Sequence, residues 1–145
     1  MDVDKLFMKE AIKLAIKSYN LDEVPVGAIV VKDNKIIGCG YNQKENTKNP
    51  LKHAELIAIE DACKSIGDWR LSDCTLYTTF EPCMMCMGAI RESRIKRVVY
   101  GVSKHEQMYN NESDIKLVGN VLDNECLHLL QKFFENKRNN AKNML

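Results

Sequence analysis

With 145 residues, 45% of them hydrophobic, the chain is long enough to bury a real core and too apolar to be disordered. Its formal net charge of +1 neither requires nor excludes a nucleic-acid partner, so any phosphate-binding surface must come from local clusters of lysine and arginine. No apolar run approaches the length of a membrane span, and the N-terminus is amphipathic and charged where a secretory signal would be apolar. The six cysteines are therefore expected as reduced thiols in a cytoplasmic protein, with Cys39, Cys63, Cys74 and Cys126 as core residues.

Residues 4–18 place Leu6, Phe7, Ala11, Ile12, Leu14 and Ala15 on an apolar helical stripe. Two β-rich runs, 27–32 and 35–41, flank Asp33-Asn34, a hairpin signal. A polar loop over 42–52 follows, with Pro50 near its end. The pattern then predicts a helix over 53–66, with Leu56, Ile57, Ile59 and Ala62 on its apolar side. A strand over 74–79, a short helix over 84–93 after Pro82 and a strand over 97–101 come next. Residues 102–113 are polar and poorly periodic, Ile115–Val118 read as a last strand, and 122–136 as a closing helix packed through Leu122, Cys126, Leu129, Leu130 and Phe133. No linker or repeat divides the chain, which reads as one domain over 1–145. The alternation predicts an α/β fold, a three-layer α/β/α sandwich on a mixed sheet of about five strands. A crossover makes 74–79 and 97–101 parallel neighbours. The connection over 102–114 is near the minimum of about a dozen residues for a parallel crossover, which leaves the direction of the last strand open.

The chemistry concentrates in His53-Ala54-Glu55 and Pro82-Cys83-Met84-Met85-Cys86. His53, Cys83 and Cys86 offer one imidazole and two thiolates, the number of protein ligands of a catalytic zinc site that keeps a position for water. Residues two apart diverge on a regular helix, so His53 and Glu55 converge only if His53 sits at the helix entrance. Cys83 and Cys86, three apart, share a helix face, and Pro82 suits a first helical position. The positive end of that helix favours thiolates. A redox dithiol or a structural half-site would also use a Cys-x-x-Cys pair, but neither needs His53 and Glu55. Two thiolates and a neutral imidazole balance the zinc charge, and Glu55 is placed for general acid/base work on an activated water. Met84, Met85 and Met87 are expected to pack around the metal helix, with Met84 near the pocket rim.

His-Ala-Glu followed by Pro-Cys-x-x-Cys resembles the signature of the zinc-dependent, cytidine deaminase-like superfamily. Over roughly 3–101 and 121–135 the chain resembles the bacterial tRNA-specific adenosine deaminases. The segments that carry the likeness include Glu23-Val24-Pro25-Val26-Gly27-Ala28, Gly40-Tyr41-Asn42, Asp68-Trp69-Arg70-Leu71, Phe80-Glu81-Pro82-Cys83 and Arg97-Val98-Val99-Tyr100-Gly101. The resemblance implies a cytidine deaminase-like fold, one zinc ion per subunit on His53, Cys83 and Cys86, and Glu55 as proton shuttle. It implies base contact by Asn42, a pocket wall of Val26, Gly27 and Ala28, and substrate contacts at Ala54, Pro82 and Met84. It further implies conversion of adenosine to inosine at the tRNA wobble position, with the base flipped into the pocket, and a homodimer. Taken alone, Asn42 reads as a turn residue. Lys44, Lys48, Lys52, Arg70, Arg94 and Lys104 are candidate RNA contacts, or else solvated surface charge.

The chain departs from its relatives in the short 102–114 segment, in Leu51-Lys52 before the histidine and in Phe80. These changes spare the metal site and bear on substrate choice. Two other functions therefore stay open: a deaminase of a free base or nucleoside of guanine, cytosine or adenine type, and a non-catalytic subunit that keeps the metal. Glu55 speaks against the second, since a structural zinc needs no such carboxylate.

Overall fold

The computed structural model describes residues 2–103 and 114–143. Asp33 and Asn34 both take positive φ, 51° and 60°, as a two-residue hairpin turn of the I′ type requires. They join β1 (Gly27–Lys32) to β2 (Lys35–Tyr41) as antiparallel neighbours closed by the pair Lys32↔Lys35. β3 (Cys74–Phe80) pairs antiparallel with the other side of β1 and parallel with β4 (Arg97–Val102). β5 (Lys116–Val118) continues the sheet parallel to β4, which settles its direction, and the strand order is β2-β1-β3-β4-β5.

Successive strand residues point to opposite faces, and both faces are covered. Ala28, Val30, Leu76 and Val98 join one core with α3 (Ala54–Ile66) and α4 (Met84–Glu92). Ile29, Val31, Tyr77 and Val99 join the other with α1 (Val3–Asn20) and α5 (Asp123–Asn143). The result is the expected α/β/α sandwich. Asp4 ties α1 to the sheet: its carboxylate accepts from Arg97 at 3.0 and 2.7 Å and from the Tyr77 hydroxyl at 2.7 Å. The Arg97 guanidinium outweighs burial and holds Asp4 below the usual carboxylate range; burial, then Asp4, push Tyr77 up to about 12.

The contact that sets the depth of the later site is between α3 and β2. A Cβ on Gly40 would overlap the Ala54 carbonyl oxygen and stand 2.6 Å from the Ala58 nitrogen; one on Gly38 would collide with the Ala58 oxygen and Ala62. Two glycines facing three alanines let helix backbone lie directly on strand backbone.

Several expectations need correction. The loop over 42–52 contains a single helical turn, α2 (Lys44–Thr47). The buried line of α1 is Met8, Ala11, Ala15 and Ser18, while Leu6 is exposed; Ala11 and Ala15 are small where Gly27 of β1 comes closest to the helix backbone. Cys39 is exposed, since β2 is an edge strand and position 39 alternates away from the α3 side; Cys63 is only half-buried, whereas Cys74 and Cys126 are in the core. Pro82 precedes the N-cap Cys83 of α4, so its fixed φ shapes the entry to the helix and not its first turn. Met87 is buried, but Met84 and Met85, in the first turn of α4, are exposed. α5 runs to Asn143, past the end of its apolar stripe, and is anchored there by Asn136 on the Tyr19 hydroxyl (2.7 Å) and Lys137 on Asp22 (2.6 Å).

A Gly40→Ala substitution should push α3 off β2 and cost about 1–3 kcal/mol or more, the range for overpacking a filled core. Urea unfolding would show a lower midpoint at unchanged slope.

Candidate active site

Two helix starts converge here. His53 is the N-cap of α3, with extended φ and ψ of −80° and 146°, and its carbonyl accepts the first helical bond from Ile57 at 3.1 Å. Its side chain therefore leaves the helix in a direction that regular geometry would deny it, and Glu55, in the first turn, can face the same point. Cys83 is likewise the N-cap of α4, its carbonyl accepting from Met87 at 2.9 Å, and Cys86 follows on the same face. His53 Nδ1 stands 3.7 Å from Cys83 Sγ and 3.6 Å from Cys86 Sγ. The three candidate ligand atoms lie within 4.8 Å of one another.

These distances fit zinc. Tetrahedral bonds of about 2.3 Å to sulfur and about 2.0 Å to nitrogen put S and N about 3.5 Å apart. The donor set agrees. The hydrogen bond from Cys86, the backbone N–H groups of Cys86 and Met85 and the nearby His53 outweigh desolvation and hold Cys83 down to about 4, a thiolate. That same hydrogen bond, burial and the adjacent Glu55 push Cys86 up, so the pair keeps a single proton between them. A divalent cation held by His53, Cys83 and Cys86 would take the place of that proton. Glu55 is 5% exposed and meets Cys86.

Above the triad opens a cleft of ≈ 280 Å³ lined by Glu23, Val24, Val26, Asn42, Lys44, Glu45, His53, Ala54, Glu55, Phe80, Glu81 and Cys83. Of the residues singled out in the sequence, His53, Ala54, Glu55, Cys83, Asn42, Val26 and Lys44 thus come together, with Cys86 buried behind them. Gly27 is pressed against Ala11 and Ala15 of α1, Ala28 and Pro82 are buried, and Met84 faces outward, so these four do not line the cleft. Lys48 is exposed at the end of α2, and Lys52 lines a neighbouring groove with Lys17 and Lys64. Arg70 and Arg94 lie away from the cleft, against the exposed Trp69 ring, at 4.5 and 5.6 Å from its centroid. Lys104 lies outside the described residues.

The Asn42 amide is held at both ends. Its Nδ2 donates to the Val24 carbonyl at 3.2 Å, and its Oδ1 accepts from the Lys44 N–H at 3.3 Å. One N–H and one lone pair stay available to a ligand. Sequence reasoning missed Glu23, Val24, Glu45, Phe80 and Glu81 as lining residues. Glu23 and Glu81 are charged residues buried to 1% and 2% exposure, inside segments that carried the resemblance, and that was the available signal.

A family described as the cytidine and deoxycytidylate deaminase zinc-binding region matches residues 1–102. The tRNA-specific adenosine deaminase of Bacillus subtilis (strain 168) is 39% identical over 155 aligned positions, covering 98% of this chain and 95% of that protein. Its counterpart from Buchnera aphidicola subsp. Baizongia pistaciae is 44% identical, covering 94% and 91%. Among solved structures, one from a study of A-to-I editing by tRNA:A34 deaminases superposes with a TM-score of 0.78 at 30% identity, covering 86% of this chain and 98% of that one. A guanine deaminase from Bacillus subtilis superposes with a TM-score of 0.64 at 44% identity, covering 68% and 63%. The chain belongs to the zinc-dependent cytidine and deoxycytidylate deaminase family, on the branch of the tRNA-specific adenosine deaminases. Zinc is its cofactor and hydrolytic deamination its reaction class.

Because metal binding is linked to folding, zinc at about 100 times its Kd adds about 2.7 kcal/mol of stability. Chelation should therefore lower the unfolding temperature, and a Cys86→Ala chain should purify with far less than one zinc and show no further loss on chelation. Metal analysis beside thermal unfolding reads both outcomes.

Proposed function

We propose that residues 1–145 act as one deaminase domain that converts adenosine to inosine at the wobble position of tRNA. The observation that supports this most is the fixed Asn42 amide facing a small cleft that has Glu55 and the metal triad at its base, in a chain that matches tRNA-specific adenosine deaminases over nearly its full length. At ≈ 280 Å³ the cleft suits a single base taken out of the stack.

His53, Cys83 and Cys86 would hold zinc, which when bound acidifies a water molecule for attack on a carbon of the base. The chain's own groups do the rest. Asn42 presents one donor and one acceptor to the base edge, and Val24, Val26 and Phe80 exclude water from the ring. A Glu55 oxygen takes a proton from the attacking water and returns it to the leaving nitrogen, so C6 gains oxygen and loses ammonia. Lys44, on the cleft rim, is positioned for a phosphate, with Lys48 beyond it; Arg70, Arg94, Lys52 and Lys104 remain proposed contacts outside the cleft.

Inosine formed in a tRNA arginine anticodon arm with pure zinc-loaded protein is the expected result; ammonia released from free bases and not from the arm would overturn the RNA reading. The match to a guanine deaminase gives that second reading its support, so guanine, adenine, cytosine and their nucleosides belong in the same assay. Glu55→Ala should keep zinc and lose turnover by roughly 10²–10⁴-fold.

A homodimer belongs to the same proposal. Leu51, Met84 and Met85 are 57%, 58% and 38% exposed at the openings of the two site helices, an apolar patch suited to a second copy. Light scattering should report a dimer for the native chain and a monomer for Met85→Glu; a native monomer would refute the dimer alone.

A further inference from the structure

Glu23 is 1% exposed, stands on the cleft wall and has no counterpart in the metal chemistry. It lies between α1 and β1, where its own N–H donates to the Ser18 carbonyl at 2.9 Å. Its carboxylate is fully committed to a distant segment. Oε1 accepts from the Glu45 N–H at 2.9 Å; Oε2 accepts from the Asn46 N–H and from Asn46 Nδ2, both at 2.6 Å. Asn46 Nδ2 also donates to the Leu21 carbonyl at 2.9 Å. The helical turn so held, α2, has no cap of its own: the N-cap residue Gln43 makes no side-chain hydrogen bond. Glu23 satisfies those orphan N–H groups from outside the element.

Asn42 enters the same network one residue before that cap. Its Oδ1 accepts the Lys44 N–H, its backbone N–H donates to the Val26 carbonyl at 3.0 Å, and its carbonyl accepts from the buried Ser18 hydroxyl at 2.9 Å. The amide orientation thus depends on Lys44 staying in its turn, and that turn depends on Glu23. We propose that Glu23 is a positioning residue for base recognition, acting through α2 to orient the Asn42 amide and so to set which nucleobase the cleft accepts. The proposal rests on the deaminase reading given above. It separates Glu23 from catalysis, because His53, Glu55, Cys83 and Cys86 sit on α3 and α4 and touch none of these bonds.

Glutamine at position 23 would turn an NH2 group toward a backbone N–H and leave a buried donor unmet. The loss of such a charged acceptor corresponds to about tenfold or more in an equilibrium. Glu23→Gln should keep one zinc per chain and raise KM for the anticodon arm about tenfold or more, with kcat changed far less. Its preference for adenosine over cytidine at the target position should fall in parallel. Backbone amides of residues 44–47 should lose protection from hydrogen exchange, while those of α3 and α4 keep theirs. Asn46→Ala, which removes one of the three bonds from the loop side and leaves the core intact, should show the same signs at smaller size; it stands in if Glu23→Gln fails to fold. Unchanged exchange over 44–47, or a loss confined to kcat, overturns the positioning role while leaving the deaminase assignment in place. A native chain inactive on the arm and on every base tested overturns the deaminase reading, and base selection by Glu23 with it, whatever the exchange data show.

Discussion

Backbone-to-backbone contact between α3 and β2 is the constraint on which the site depends. Gly38 and Gly40 remove the side chains that would hold the helix away, and Ala54, Ala58 and Ala62 complete the fit. Ala54 is the first residue of that helix, so the contact fixes the position of the preceding N-cap, His53, relative to the sheet. The thiolates arrive by a different route, through the β3–α4–β4 crossover and its parallel pairing. A tetrahedral ion accepts little error in the spacing of its ligands, and 3.6 and 3.7 Å from nitrogen to sulfur show the two routes meeting in register.

Electrostatics follow from the same arrangement. Both ligand-bearing segments are helix N-termini, whose unpaired N–H groups and dipoles favour negative charge. This accounts for a thiolate at Cys83 and for a carboxylate, Glu55, tolerated in the interior. The site therefore gathers its anionic groups at two positive helix ends, a setting that divalent charge complements. Val24, Val26 and the Asn42 amide give the cleft a neutral stretch of wall, and the buried Glu23 carboxylate is bonded into α2.

The candidate metal ligands and Glu55 were legible in the sequence because ligation demands particular residue types at particular spacings, all within two short motifs. The hairpin was legible because Asp33-Asn34 tolerates positive φ. Other features depend on partners distant in the chain. Glu23 reads as one more acidic residue until Glu45 and Asn46 are seen to end on it. α2 is too short to show a period. Cys39 has an apolar neighbourhood in sequence, yet edge position exposes it. Met84 and Met85 follow the helix pattern but face outward, and α5 past Phe134 carries no apolar period, Asn136 and Lys137 there meeting Tyr19 and Asp22 through polar bonds.

β3 is where the sheet changes character, antiparallel toward β1 and parallel toward β4. The cleft opens beyond its last residue, Phe80, so one wall descends from the hairpin side and the other from the crossover side. Val24, Val26 and Asn42 flank the hairpin, Cys83 and Cys86 belong to the crossover, and α3, lying directly on β2, brings His53 and Glu55 between them. A change at Val24, Val26 or Asn42 can thus reshape the cleft wall while the two thiols stay where the crossover puts them, whereas a change at Gly38 or Gly40 displaces strand and imidazole together.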